Sequence, residues 1–234
     1  MFITTATSRD EAERGARVAL LPVGSFEQHG GHLPLSTDTL IAAAIARRIA
    51  AEYNLFLLPP VTMSCSHEHA AFAGTVSISS TTLGAIVRDV ADSLAASGVH
   101  HLAIINGHGG NYVLSNIVQE ANVGRRSMLL FPRSEDWRDA REAAGVVTSN
   151  HDDMHGGEAE TSILLAEAAE LVKENYLEAD HESGDRRLLL SLGMSGYTKT
   201  GIIGRPSLAS AQKGRALVDT FSRLFQGSYD LLTT

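Results

Sequence analysis

Residues 18–38 read VALLPVGSFEQHGGHLPLSTD, and the three parts of this stretch set the fold class. The first six, Val18 to Val23, are apolar without a break, the pattern of a strand buried on both faces of a parallel sheet. A glycine-punctuated loop follows and carries Glu27, His29, His32 and Asp38. An alanine-rich helical pattern then occupies residues 39–53. In open α/β sheets ligands bind outside the carboxyl ends of the strands, which is where this loop falls.

The design repeats further along the chain. Residues 102–105 form another apolar run and lead directly into NGHGGN at 106–111, where His108 is the one side chain with ligand chemistry. Runs at 55–58 and 128–131 predict two more strands, and residues 81–97, 110–123, 135–144, 158–171 and 209–232 read as helices. Strands alternating with helices imply right-handed crossovers and a mostly parallel central sheet covered on both faces. Residues 193–206 read as a loop that is able to act as a flap.

At 234 residues and 44% apolar content the chain predicts a single domain over 1–234. Its 19 basic against 27 acidic residues leave a formal charge of −8 with no long basic run, which argues against nucleic acid and anionic membrane as partners. Cys65 is the single cysteine, so neither a disulfide framework nor a thiolate zinc cluster is available, and a reducing cytoplasm is expected. The N-terminus carries acids where a signal peptide needs a basic and then an apolar run, and no apolar segment approaches the ~18 residues of a membrane span.

A third cluster, HDDMHGGEAE at 151–160, adds two histidines and several carboxylates. Histidine and carboxylate without thiolate suit zinc, manganese or iron(II), and bridging carboxylates bring a two-metal site within reach. Glu27 and His29 are two residues apart, so an extended backbone points both the same way. Asp38 reads either as a helix cap or, beside Glu27 and His29, as a bridging ligand. One of His29 and His32 is expected to support the ligands from behind, and His32 is the candidate. The glycines around His108 let backbone pass close to a metal or substrate, while their spacing matches neither nucleotide-binding glycine motif. His155 and Glu158 share a helix face, and either Glu158 or Glu160 has the alternative duty of stabilising the helix dipole. His67, Glu68 and His69 form a polar knot beside Cys65, which reads as a buried core thiol or, less simply, a nucleophile.

These motifs resemble the creatininase (creatinine amidohydrolase) family: residues 22–38, the AFAGT of 71–75, NGHGGN, HGGEAETS and the late GIIGRPSLASAQKG. The resemblance implies a three-layer α/β/α sandwich that assembles as a homohexamer and holds two divalent metal ions per chain. Carried over by position, it implies Glu27, His29, Asp38 and His108 as ligands, with Asp38 bridging. Creatininase has a ligand glutamate at the position of Gly110, so here a carboxylate must come from elsewhere; Glu160 is the first choice and Glu158 the second. The resemblance places His155 near the substrate, and His32, His69, Asn106 and Asn111 are expected behind the ligands or against the substrate. AFAGT in place of the usual FPGT, with Arg205 and Gln212 late in the chain, implies a different substrate wall.

The expected activity is metal-dependent hydrolysis of a C–N bond, in an amide, formamide or cyclic amide of a small polar substrate, through an activated water with Glu158 or His155 protonating the leaving amine. NGHGGN is closer to the family's formamidopyrimidine deformylases, cyclic-ketone hydrolases and the peptidase of mycofactocin maturation. Peptide cleavage and C–C or cyclic-ketone hydrolysis are therefore the alternatives within the enzyme class. A silent oligomeric metal-binding protein is the alternative outside it.

Overall fold

Every residue of β1 (Val18–Val23) is buried, and successive side chains enter different cores. Val18 and Leu20 join one hydrophobic cluster; Ala19, Leu21 and Val23 join the other. That is the period of two expected of a strand with helices on both faces. The computed structural model describes residues 4–234, so residues 1–3, which head the predicted domain and the acid-bearing N-terminus, lie outside the described residues.

The helices are α1 (Ser8–Arg14), α2 (Thr37–Tyr53), α3 (Ser80–Ala96), α4 (Val113–Ala121), α5 (Ser134–Ala144), α6 (Glu158–Glu167), α7 (Leu189–Leu192), α8 (Ala211–Leu224) and α9 (Gln226–Thr233). Three strands join β1: β2 (Phe56–Leu57), β3 (His101–Asn106) and β4 (Met128–Phe131), in the order β2-β1-β3-β4 with every pair parallel. Ile41, Ile45 and Ile49 of α2, Ile163 of α6 and Phe221 of α8 cover one face together with Ala103, Ile105 and Phe131. Leu83 and Val87 of α3, with Leu114 and Ile117 of α4, cover the other over Leu102 and Ile104. The result is the expected mostly parallel sheet between two helical layers.

Details differ from the sequence reading where tertiary contacts intervene. The C-terminal pattern at 209–232 divides into α8 and α9 around Phe225, which is fully buried and packs edge-on against Phe131 at 5.3 Å. The 193–206 stretch is fastened rather than free: His155 pairs with Ile203 and His181 with Gly204 in antiparallel bridges, and Met194, Ile202 and Ile203 are buried. Among the described residues no helix is long and apolar enough to cross a membrane.

Candidate metal centre

The two glycine-bearing loops leave neighbouring strands, β1 and β3, and both press against the first turn of α2. A Cβ on Gly24 would lie 2.3 Å from the Thr39 backbone, and one on Gly107 would lie 2.4 Å from the Asp38 carbonyl oxygen. Only glycine permits these backbone approaches. They bring Glu27 and His29 from the first loop, His108 from the second and Asp38 from the helix to one place. Asp38 is not the helix cap, because α2 begins at Thr37 after Ser36 and the Asp38 carboxylate turns inward toward two histidines.

His108 Nδ1 lies 3.2 Å from Glu27 Oε1 and 3.1 Å from Asp38 Oδ2. Across Asp38, His29 Nε2 lies 2.9 Å from Asp38 Oδ1 and 3.9 Å from Glu160 Oε2. The far nitrogen of each ring is already committed: His108 Nε2 donates to Cys65 O at 2.9 Å and His29 Nδ1 to Glu27 O at 3.1 Å. A neutral imidazole has one N–H, so in the neutral rings the nitrogens that face the carboxylates would be bare lone pairs. Lone pairs turned on carboxylates at this distance need a cation, or second protons, between them. Glu27 Oε1 and Asp38 Oδ2 are also buried without a hydrogen-bond donor.

One ligand atom from each of Glu27, Asp38 and His108 falls within 4.8 Å of the others, and so does one from each of His29, Asp38 and Glu160. Asp38 serves both groups, with a different oxygen turned to each. A third group of the same compactness is Glu27, His29 and His155. Imidazole and carboxylate donors of this number and spacing fit divalent transition metals.

The ionisation pattern has the same cause. Burial opposes charge on Asp38, yet His29 and then His108 hold its carboxyl far below the usual range. Burial likewise opposes charge on Glu27, and His108 reverses it. Burial would discharge His29, but Asp38 first, then Glu160 and Glu27, raise it to about 9, while Glu27 and Asp38 raise His108 well above its ordinary value. With both rings raised, two imidazolium protons balance the carboxylates at neutral pH, a charge that divalent cations would replace. Glu160 is raised to about 7, chiefly by burial and then by Asp38.

Gln28 organises the neighbouring histidines. Its Nε2 donates to Gly201 O at 3.0 Å and to His69 Nδ1 at 2.9 Å, and its backbone oxygen accepts from His155 Nε2 at 2.6 Å. The His155 ring lies 4.1 Å from that of His29 and 4.3 Å from that of His69. Burial and then His29 push His155 well below its ordinary value, and burial with His155 pushes His69 to about 3, so both rings are neutral. His69 Nε2 lies 3.2 Å from Glu27 Oε1, without hydrogen-bond alignment. His32 is buried too, lowered to about 4 by burial, and its Nε2 meets Thr161 Oγ1 at 3.1 Å, which ties the first loop to α6. Asn106 donates from Nδ2 to His108 O at 2.8 Å and accepts from Asn111 Nδ2 at 3.0 Å, while Asn111 Oδ1 accepts from the Cys65 N–H.

Glu158 is turned away from the cluster. Its carboxylate accepts from Lys213 Nζ at 2.5 Å, Thr148 Oγ1 at 2.8 Å and the Val147 and Thr148 backbone N–H groups. Two residues apart on a helix are roughly 200° apart around its axis, so with Glu160 inward Glu158 points toward α8. Glu158, expected to protonate a leaving amine, is thus engaged by Lys213, Thr148 and backbone N–H groups and belongs to none of the compact ligand groups. Asp153 sets this rotation, since its carboxylate accepts from the Glu158 and Ala159 N–H groups at the start of α6 and is held by Arg141 Nη1 at 2.8 Å.

Gln28 and Asp153 escaped sequence reasoning. A glutamine between two ligand residues was the available signal for the first; for the second, an acid a few residues ahead of a helix start. Glu68 was visible only as part of a polar knot, yet it lies 3.4 Å from His108 Nε2.

A family profile described as "Creatininase: Creatinine amidohydrolase" matches residues 3–225. The mycofactocin precursor peptide peptidase of Mycobacterium ulcerans (strain Agy99) is 35% identical over 210 residues, spanning 85% of this chain and 78% of that protein. The creatinine amidohydrolase of Pseudomonas putida is 29% identical over 177 residues, 68% of this chain and 67% of that protein. A solved structure titled "Creatininase Mn" superposes with a TM-score of 0.83 at 22% identity, covering 98% of each chain. Family profile, relatives and fold agree with the site's chemistry: this chain is a hydrolase that belongs to the creatininase family.

Proposed function

We propose that residues 1–234 act as one domain that hydrolyses a C–N bond in an amide, formamide or cyclic amide of a small polar substrate or short peptide, with two divalent ions of zinc, manganese or iron per chain. The observation that carries this reading is Asp38, which turns one carboxylate oxygen to His108 and the other to His29. Glu27, Asp38 and His108 would hold one ion; His29, Asp38 and Glu160 the other. When bound, such a pair lowers the pKa of a water toward neutrality and polarises a carbonyl.

The chain's own groups supply the rest. His155 donates Nε2–H to Gln28 O, so its Nδ1 carries a lone pair 3.7 Å from Glu27 Oε1 and is free to take a proton from water and pass it to the leaving nitrogen. His69, fixed by Gln28, orients Glu27. The 35% identity with a peptide peptidase favours a short peptide over creatinine as substrate. A homohexamer and a cytoplasmic location complete the proposal, the first from the family and the second from the lone Cys65.

The test is metal content per chain in protein purified without chelator, followed by turnover of formamides, cyclic amides and short peptides before and after chelation. About two ions with chelator-sensitive turnover is the expected result. An ion-free protein that zinc, manganese and iron all fail to activate overturns the reading.

A further inference from the structure

Beside the histidine–carboxylate cluster a cavity of about 510 Å³ opens between the turn at residues 67–69, the NGHGGN loop and α7. Its lining holds one carboxylate, Glu68, with His67, three serines and apolar side chains, among them Tyr112, Leu190 and Leu192. These three are exposed by 60%, 79% and 52%, although each is large and apolar.

Glu68 is built into this wall. A Cβ on Gly110 would lie 2.0 Å from Glu68 Oε1 and 2.4 Å from His108 Nε2, so the carboxylate occupies space that any other residue at 110 would fill. On the other side Gly193, at φ +64°, passes so close that a Cβ would lie 2.8 Å from the Glu68 carbonyl oxygen. Two glycines from distant loops thus admit this one acidic residue. Its neighbour His108 Nε2, at 3.4 Å, already donates to Cys65 O at the shorter distance of 2.9 Å. Glu68 therefore keeps acceptor capacity for a donor arriving from the cavity.

We propose that Glu68 is the specificity-determining residue of this enzyme, receiving a protonated amine of the substrate while Leu190, Leu192 and Tyr112 cover an adjoining apolar side chain. One imidazole ring separates Glu68 from the cluster, with Nδ1 facing Glu27 and Asp38 and Nε2 facing Glu68. The amine accordingly belongs within about one residue, ~3.5 Å of extended chain, of the bond to be cut. The substrate class is a peptide-like amide with a free amine beside an apolar side chain, which deepens the amide-hydrolase reading and rests on it.

The test compares leucinamide with 4-methylpentanamide, which lacks the ammonium alone, by titration calorimetry on the zinc-loaded protein. Wild type should bind leucinamide about tenfold tighter or more, the weight of one charge-assisted hydrogen bond. Glu68→Gln should abolish that preference while leaving 4-methylpentanamide binding and metal content unchanged, and Glu68→Asp should retain part of it. The proposal is overturned by the absence of a preference in wild type, by a preference that survives Glu68→Gln, or by loss of metal in that variant. Loss of metal would make Glu68 a support for His108 instead. Metal content and turnover of wild type keep the two readings apart: two ions and active turnover with no amine preference sink this inference alone.

Discussion

Helix α6 sends one carboxylate into each of two buried ionic clusters, and the two are built on opposite terms. Around Glu158 every lone pair meets a donor: the Lys213 ammonium, the Thr148 hydroxyl and two backbone N–H groups. The adjoining Asp153 is likewise answered by Arg141 and helix N–H groups. Around Glu160 the Ser25 hydroxyl answers Glu27 Oε2, but Glu27 Oε1 and Asp38 Oδ2 are turned toward imidazoles and have no hydrogen-bond donor. Arginine and lysine, with their fixed charge, close the structural cluster; histidine, which can give up its proton to make room for a metal, leaves the other open. Buried polar groups are normally satisfied, so an open cluster marks the place where something binds.

Removing Asp38 should break the comparison with the largest effect. Asp38→Asn keeps the shape but takes away the charge shared by both ligand groups. Metal content should fall from about two ions to one or none, and turnover by more than the ~100-fold that loss of a partner behind a ligand causes. Two retained ions with unchanged turnover would end the assignment.

The opposite cluster should respond in stability and not in metal. Lys213→Met strands the fully buried Glu158 carboxylate, and breaking a buried pair from one side costs about 3–5 kcal/mol. For a chain of this size that lowers the melting midpoint by about 10 °C, with metal per folded chain unchanged. A metal loss matching that of Asp38→Asn would show that the two clusters are not separate.

Acidity distinguishes them next. His29 is raised to about 9 in the metal-free chain, so its stabilisation is complete below its unfolded value near 6.5 and is lost as pH rises through 9. His108, raised for the same reason, acts in the same direction. His69, His32 and His155 are lowered, so their contribution to the pH dependence ends by about 6.5; Glu160, raised to about 7, adds its own loss at the lower edge of the window above. Chelated protein should lose about 3 kcal/mol from His29 alone between pH 6.5 and 9, with His108 adding to it, whereas metal-loaded protein, whose His29 is a neutral ligand, should stay level. Glu158 is lowered, burial being outweighed by Lys213, so its share is lost only as pH falls below the usual glutamate value near 4.5. Denaturant titrations across pH, with and without chelator, give both profiles.

The contrast also explains what was legible in the sequence. Uninterrupted apolar runs made all four strands readable, β1 and most of β3 being buried while β2 and the middle of β4 are half-buried, and the loops behind Val23 and Ile105 displayed Glu27, His29, Asp38 and His108 directly. The choice between Glu158 and Glu160 was not legible, because it depends on the rotation of α6, and that is set by Asp153, Arg141 and Lys213 from other segments. Glu68 was hidden for a similar reason. Its place beside His108 requires the missing Cβ of Gly110, a relation between residues far apart in the chain.

The smallest expected effect lies at the hinge of the open cluster. Gly107, Gly109 and Gly110 leave the backbone around His108 little steric definition, and the Asn106 side chain supplies it by spanning His108: Nδ2 donates to its oxygen at 2.8 Å and Oδ1 accepts from its N–H at 3.3 Å. The same oxygen holds Asn111, which in turn anchors the Cys65 backbone beside His108 Nε2. Asn106→Ala removes this brace without touching a ligand atom. Stability should fall by only ~1 kcal/mol, the net worth of an ordinary hydrogen bond, while turnover should fall by about tenfold or more because a catalytic centre tolerates little displacement. Equal, small losses in stability and turnover would show that the glycine loop finds its geometry from the bound metal alone, and that the open cluster needs no brace of its own.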